Sequence, residues 1–171
     1  MDLLHFGEDP TISLFVPRQL AHRPELPPLV WAIDQEHAPL YYFPRDCPRV
    51  TYRAVATTTA ADRERFLGHT TAQWVMAIEN GWLERMRAAR LFAYTLPGAT
   101  FSCIDQGAGT YTSAEPVTPL AMETVGDLLP RHVQAGVELR LTPSLWPLYH
   151  AVIASTLQFS IIRMRHAAPR A

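Results

Sequence analysis

Apolar and polar positions alternate over short runs along this chain, and turn residues interrupt the runs every few positions. DLLHF at 2–6 predicts a first strand, and TISLFVP alternates before a proline-rich loop at 23–28. LVWAI at 29–33 is an unbroken apolar run of the kind that sheets cover on both faces. RVTYRAVA at 49–56 returns to alternation. TTAADRERFLG then carries a helix start, with Thr59 as N-cap, Asp62 three residues on and Gly68 as the stop. AQWVMAIE at 72–79 predicts a strand. NGWLERMRAAR at 80–90 predicts a helix capped by Asn80, with Trp82, Leu83 and Met86 on one face. LFAYTL at 91–96 and PVTPLAME at 116–123 predict strands separated by a loop over 97–113.

A further helix is expected within VGDLLPRHVQAG, with Asp127 in its first turn and Gly136 ending it, followed by a strand at VELRLT. The tail PSLWPLYHAVIASTLQFSIIRMR places Leu148, Val152, Ser155 or Thr156, and Phe159 at helical spacing. It predicts a long C-terminal helix with Pro147 in its first turn. Short mixed or antiparallel strands among several helices, without a βαβ rhythm, give an α+β fold in one domain over residues 1–171.

Composition narrows the function. With 48% hydrophobic and 18% charged residues, the chain reads as globular. Its net charge of −1 gives nucleic acid and anionic membranes no electrostatic purchase. No apolar run reaches the roughly 18 residues of a membrane span, and MDLLHF lacks a basic signal-peptide head, so a cytoplasmic location is expected. All 15 basic residues are arginine. Without lysine there is no Schiff base, pyridoxal-phosphate anchor, P-loop lysine or protein-kinase lysine. No G-x-G-x-x-G, G-x-S-x-G, H-E-x-x-H or EF-hand loop occurs. Two cysteines, Cys47 and Cys103, are too few for a disulfide scaffold or a thiolate zinc cage. The seven histidines, at 5, 22, 37, 69, 132, 150 and 166, share no i,i+3 or i,i+4 spacing, and no metal is expected.

Several residues carry chemistry beside a plainer reading. A lone His5 on an apolar strand is ordinarily a core residue satisfied by backbone groups. The functional reading is that it binds a ligand hydroxyl, with Gly7 admitting that ligand close to the backbone. Trp31 is a core aromatic or a stacking wall for a flat ring. Asp34 suits an N-cap. In YYFPRDCPR at 41–49, Arg45 and Arg49 could grip a phosphate or pair with Asp46, and Cys47 beside them could be a reactive thiol. Asp105 and Glu115 end strand-like runs beside flexible loops. Either could be turn or edge chemistry, or the carboxylate that steadies a cation developing at a sugar carbon.

Over nearly its whole length, in HFGEDPTI, VWAIDQEHAPLYYFPRDCPRVT, DRERFLGHT, EPVTPL and LWPLYHAVIASTLQFS, the chain resembles a small bacterial family of unassigned function. LLHFGEDPTISLFVP, VWAIDQEHAPLYY, RLFAYTLPGATFSCIDQ and YTSAEPV also have the order and spacing of small ADP-ribosyltransferases, and are most similar to the rifamycin-modifying ones. That resemblance implies an ADP-ribosyltransferase-like fold and a nucleotide ligand, NAD, whose nicotinamide–ribose bond is broken. It implies that His5 grips the ribose, that Trp31, where the family has Tyr, stacks on nicotinamide, and that Ala38 lies in the helix that follows. Asp105 or Glu115 would be the catalytic acid, and Arg45 and Arg49 would hold the pyrophosphate. FGED departs from the pattern that usually follows the first His. The other reading is a non-catalytic module that recognises a small ligand or a protein through the patch at 41–49.

Overall fold

The computed structural model describes residues 1–20 and 23–170; Ala21, His22 and Ala171 lie outside the described residues. The fold is α+β. Its contacts divide the chain into two compact units, each threaded by two segments: residues 1–42 with 90–126, and residues 43–89 with 127–171.

The first unit is a six-stranded antiparallel sheet. Its strands are β1 (Asp2–Gly7) and β2 (Val30–Ile33), with β3 (Arg49–Arg53) and β4 (Trp74–Glu79) falling in the other unit. They continue with β5 (Phe92–Pro97), β6 (Ser102–Asp105), β7 (Thr110–Ser113) and β8 (Ala121–Thr124). The spatial order is β6-β7-β2-β1-β5-β8. Strand alternation sends Leu3, Val30, Ala32, Tyr94 and Leu96 to one face, where Phe15 and Val117 cover them. The opposite face carries Leu4, Ile33 and Ala38, with Phe6, Tyr41 and Tyr42 packed beside them.

In the second unit, β10 (Gln158–Ile162), β3, β4 and β9 (Val137–Thr142) form a mixed sheet in the order β10-β3-β4-β9. β4 and β9 run parallel, although no βαβ rhythm is visible in the sequence. Among the described residues, four α-helices belong to this unit: α1 (Ala60–Leu67), α2 (Leu83–Ala88), α3 (Leu128–Gln134) and α4 (Trp146–Ile153). The core on one sheet face joins Val50, Tyr52, Val75 and Ala77 to Phe66 of α1 and Val152 of α4. The Thr59 cap forms as read, its side chain accepting the Asp62 amide at 3.2 Å.

Four expectations are corrected. Asn80 does not cap a helix over 80–90: it opens a 3-10 turn (Asn80–Trp82), and α2 starts at Leu83 with Trp82 at its N-cap and no side-chain cap bond. There is no long C-terminal helix: α4 stops at Ile153, and the chain turns into β10. Ser155 Oγ donates to the Val152 carbonyl at 2.7 Å, and Asp62 takes the Thr156 amide and hydroxyl at 2.7 and 2.6 Å. These bonds end the helix, because hydroxyl side chains offer the backbone an alternative to the helical ladder. The stretch 97–113 is no single loop, since β6 and β7 form a hairpin inside it. TISLFVP contributes only a bridge, with Phe15 and Val117 exchanging two backbone bonds of 2.8 Å.

Candidate functional site

The candidate site lies in the first unit, where its sheet opens. β1 and β2 are the two central strands, yet among the described residues only Leu4 and Ile33 form a register pair between them. Past that pair, Phe6 and Gly7 continue to pair with β5, and Val30, Trp31 and Ala32 with β7. The two halves of the sheet therefore part company at the His5–Gly7 end. Backbone groups along such an opening need partners other than the ladder.

His5 provides one of them. Its Nδ1 lies 2.7 Å from the Trp31 carbonyl, and a carbonyl only accepts, so Nδ1 carries the hydrogen. That bond fixes the orientation of the ring. His5 is half-buried, its ring 4.7 Å from that of Phe15. Above this face the loop 8–15 is tied down by Tyr94, whose hydroxyl donates to the Asp9 carbonyl at 2.6 Å and accepts the Ile12 amide at 3.2 Å. Tyr94 is also the β5 partner of His5. Space is left at the strand end: a Cβ built on Gly7 meets no atom within 4 Å.

Trp31 contributes its carbonyl to His5, but its side chain lies elsewhere. Alternation along β2 puts it on the face of Ile33, whereas His5 shares the face of Leu3 and Phe15. The structure thus joins these two residues through the backbone and does not bring their rings onto one face. The indole Nε1 is buried with no hydrogen-bond partner among the described residues. Asp34 caps the turn into a short 3-10 segment (Ala38–Tyr41), its carboxylate accepting the His37 amide at 2.9 Å and the His37 Nδ1 at 2.8 Å. Gly109 closes over this pair with φ +62°, and its carbonyl accepts the Asp34 amide at 3.0 Å.

Sheet register separates the two candidate acids. Asp105 pairs with Thr110, Thr110 with Ile33, and Ile33 with Leu4, so Asp105 stands at the closed end. It is exposed and accepts the Ala108 amide at 3.0 Å, as a turn residue does. Glu115 follows Ser113, whose partner is Val30, and so lies off the open end. Its exposed side chain sits two residues before Val117, the bridge partner of Phe15, and Phe15 packs on His5. The Glu115 amide is held by Ser113 Oγ at 3.1 Å. The sequence holds no local signal for this choice, because the register is set by strands far apart along the chain.

The stretch 41–49 crosses from one unit to the other after Tyr42. Only Arg45 in it is exposed, while Phe43, Pro44, Cys47, Pro48 and Arg49 are buried. Arg49 points inward, donating to the Cys47 carbonyl at 3.1 Å with its guanidinium 4.8 Å from the centre of the Phe43 ring. Arg45 and Arg49 therefore do not form a shared anion clamp. Asp46 instead faces Arg163, Arg165 and His166, at 3.9, 3.8 and 3.5 Å. The reactive-thiol reading of Cys47 is overturned: burial pushes the thiol up to about 12, outweighing the pull of Arg49 and Arg85.

Among the described residues, no helix is long and apolar enough to cross a membrane. No curated protein and no solved structure significantly matches the chain. One family model does, covering residues 4–167, and the chain belongs to that family of unknown function, DUF6886.

Proposed function

We propose that the first unit binds NAD at the open end of the β1–β2 split and that the protein transfers ADP-ribose to an acceptor. The observation carrying this reading is the anchored imidazole of His5. The Nδ1 bond to the Trp31 carbonyl holds the imidazole in one orientation at the opening, which suits a ring that grips a ribose. Gly7, with open space beside it, allows a ligand to reach the strand backbone. NAD supplies an N-glycosidic bond whose electron pair leaves with nicotinamide while the sugar carbon gains positive charge. Glu115 is the acid placed at that end of the sheet, and its carboxylate would stabilise the charge. In this reading Trp31 positions His5 through its carbonyl, Asp105 acts as a turn residue, and Arg45 and Arg49 take no part.

The test is nicotinamide release and the NAD-induced shift in melting temperature. His5→Ala is expected to weaken binding about tenfold, the worth of one ligand hydrogen bond. Glu115→Gln should keep binding and lower turnover about a hundredfold. Asp105→Asn should change neither. Absence of NAD binding by the wild-type chain, or release unaffected by His5→Ala, refutes the proposal.

A further inference from the structure

In the second unit, β4 ends in a carboxylate that binds main chain. Glu79 is 5% exposed, and a carboxylate so buried must be matched by donors. Each of its oxygens accepts one backbone amide: that of Leu145, just before α4, at 3.1 Å, and that of Ala168 at 2.8 Å. Ala168 is held on its other side as well. Its carbonyl accepts the indole N–H of Trp146, the first residue of α4, at 2.7 Å. Side chains, not a strand or a helix, thus take both backbone polar groups of this one residue.

The segment 167–170 has the form of a ligand. Ala167 lies at φ −70° and ψ 158°, the polyproline II region, and Ala168 precedes Pro169, which favours an extended backbone. A polyproline II segment makes no internal hydrogen bonds, so its carbonyls are open to an indole donor. Further on, Arg170 sets its guanidinium 4.1 Å from the centre of the Trp146 ring, a cation–π distance. Tyr149, with its ring centre 5.4 Å away, backs the indole. None of residues 165–170 is buried, so little apolar burial holds the segment down. Aromatic side chains that dock a proline-containing extended segment are a recurring mode of peptide recognition.

We infer that Glu79 and Trp146 form a peptide-binding site, filled here by the chain's own residues 167–170, whose ligand in trans is an extended Ala-Pro-Arg segment of a partner protein. Glu79 reads the amide of the residue before the proline and Trp146 reads its carbonyl. The indole face takes the arginine. Displacing the chain's own segment strips one Glu79 oxygen of its donor, and a second peptide amide restores it. The tethered segment competes at an effective concentration of about a millimolar, which keeps the site shut against weak ligands.

The test titrates the end-blocked peptide HAAPRA, residues 166–171, into the full chain and reads binding by the anisotropy of a label on the peptide. Ala168→Pro deletes the amide that Glu79 holds and weakens the competitor, so this variant should bind the peptide about tenfold or more tighter than the wild type. Adding Trp146→Phe, which removes the indole N–H and keeps a ring, should weaken that binding about tenfold. A peptide with alanine in place of its arginine should bind about threefold weaker. Hydrogen exchange of the wild type is a check free of mutation: the Ala168 amide should exchange about a hundredfold or more faster than that of Ile78 in central β4. Equal peptide affinity in wild type and Ala168→Pro, or affinity indifferent to Trp146→Phe, overturns the inference. So does an Ala168→Pro chain that fails to fold, or an Ala168 amide as protected as that of Ile78, since the segment is then a fixed part of the fold. A wild-type dimer lost in Ala168→Pro would overturn the assignment to a partner protein.

Discussion

Acid should expose one buried imidazole before it touches the carboxylates. His132 in α3 is 1% exposed, its ring 4.6 Å from Phe43, with Nδ1 2.8 Å from the Leu128 carbonyl. Burial, against the opposing pull of that carbonyl and aided by the nearby Arg49 charge, lowers its pKa from 6.5 to about 4. A histidine with a depressed folded pKa takes its proton more readily in the unfolded chain. The native state therefore loses nothing above 6.5, loses stability steadily as the pH falls from 6.5 to about 4, and loses no more below that. The span corresponds to about 3 kcal/mol, a large share of a typical folding free energy. Urea titrations across that window measure it directly. His132→Gln keeps an N–H donor for Leu128 and cannot titrate, so its stability should stay level where the wild type declines. Asp62 and Glu138, held below the usual carboxylate range by hydrogen bonds from Thr156 and Thr70, lose their contribution at lower pH and in both proteins alike. Parallel pH profiles for wild type and His132→Gln would refute the reasoning.

Gly109→Ala should lower stability by about 2 kcal/mol or more in a thermal melt, since φ is +62° and the new Cβ would strike the Asp34 carboxylate and the His37 ring. Tyr94→Phe removes both hydroxyl bonds to the loop 8–15, and limited proteolysis should cut that loop faster, with a stability loss of about 1–3 kcal/mol. Thr59→Ala deletes the cap of α1 and should cost about 1 kcal/mol by chemical denaturation. A thiol reagent should label exposed Cys103 in the native protein and reach buried Cys47 only after unfolding, as peptide mapping would show.

What the sequence disclosed was local. The cap of α1 is written in Thr59 and Asp62, three residues apart, and the structure forms it through bonds between those same residues. β3 is read from the alternation of RVTYRAVA, and β4, β5 and β9 from the short runs AQWVMAIE, LFAYTL and VELRLT. The C-terminal tail misleads because Leu148, Val152 and Phe159 suit a helical period, while QFSII is short enough to fit either period. Its strand partner, β3, lies more than 100 residues away along the chain: the Thr51–Ser160 contact spans 109 positions. The β6–β7 hairpin was hidden for a related reason. All four residues of β6 are exposed, so no buried face imposes a pattern on them.

The candidate site follows the same division. His5 and both acids are visible as residue types, but the property that distinguishes them is register. Leu4 opposite Ile33 fixes which end of β1 and β2 is closed, and the β2–β7 pairing carries that polarity outward to Ser113 and Thr110. Shifting β7 by one residue against β2 would turn Tyr111 from the apolar face to the other side, so burial of Tyr111 and Ala32 on one face holds the register in place. Glu115 and Asp105 consequently cannot exchange ends without dismantling that core. The same packing that stabilises the sheet decides which carboxylate stands beside the opening that His5 occupies.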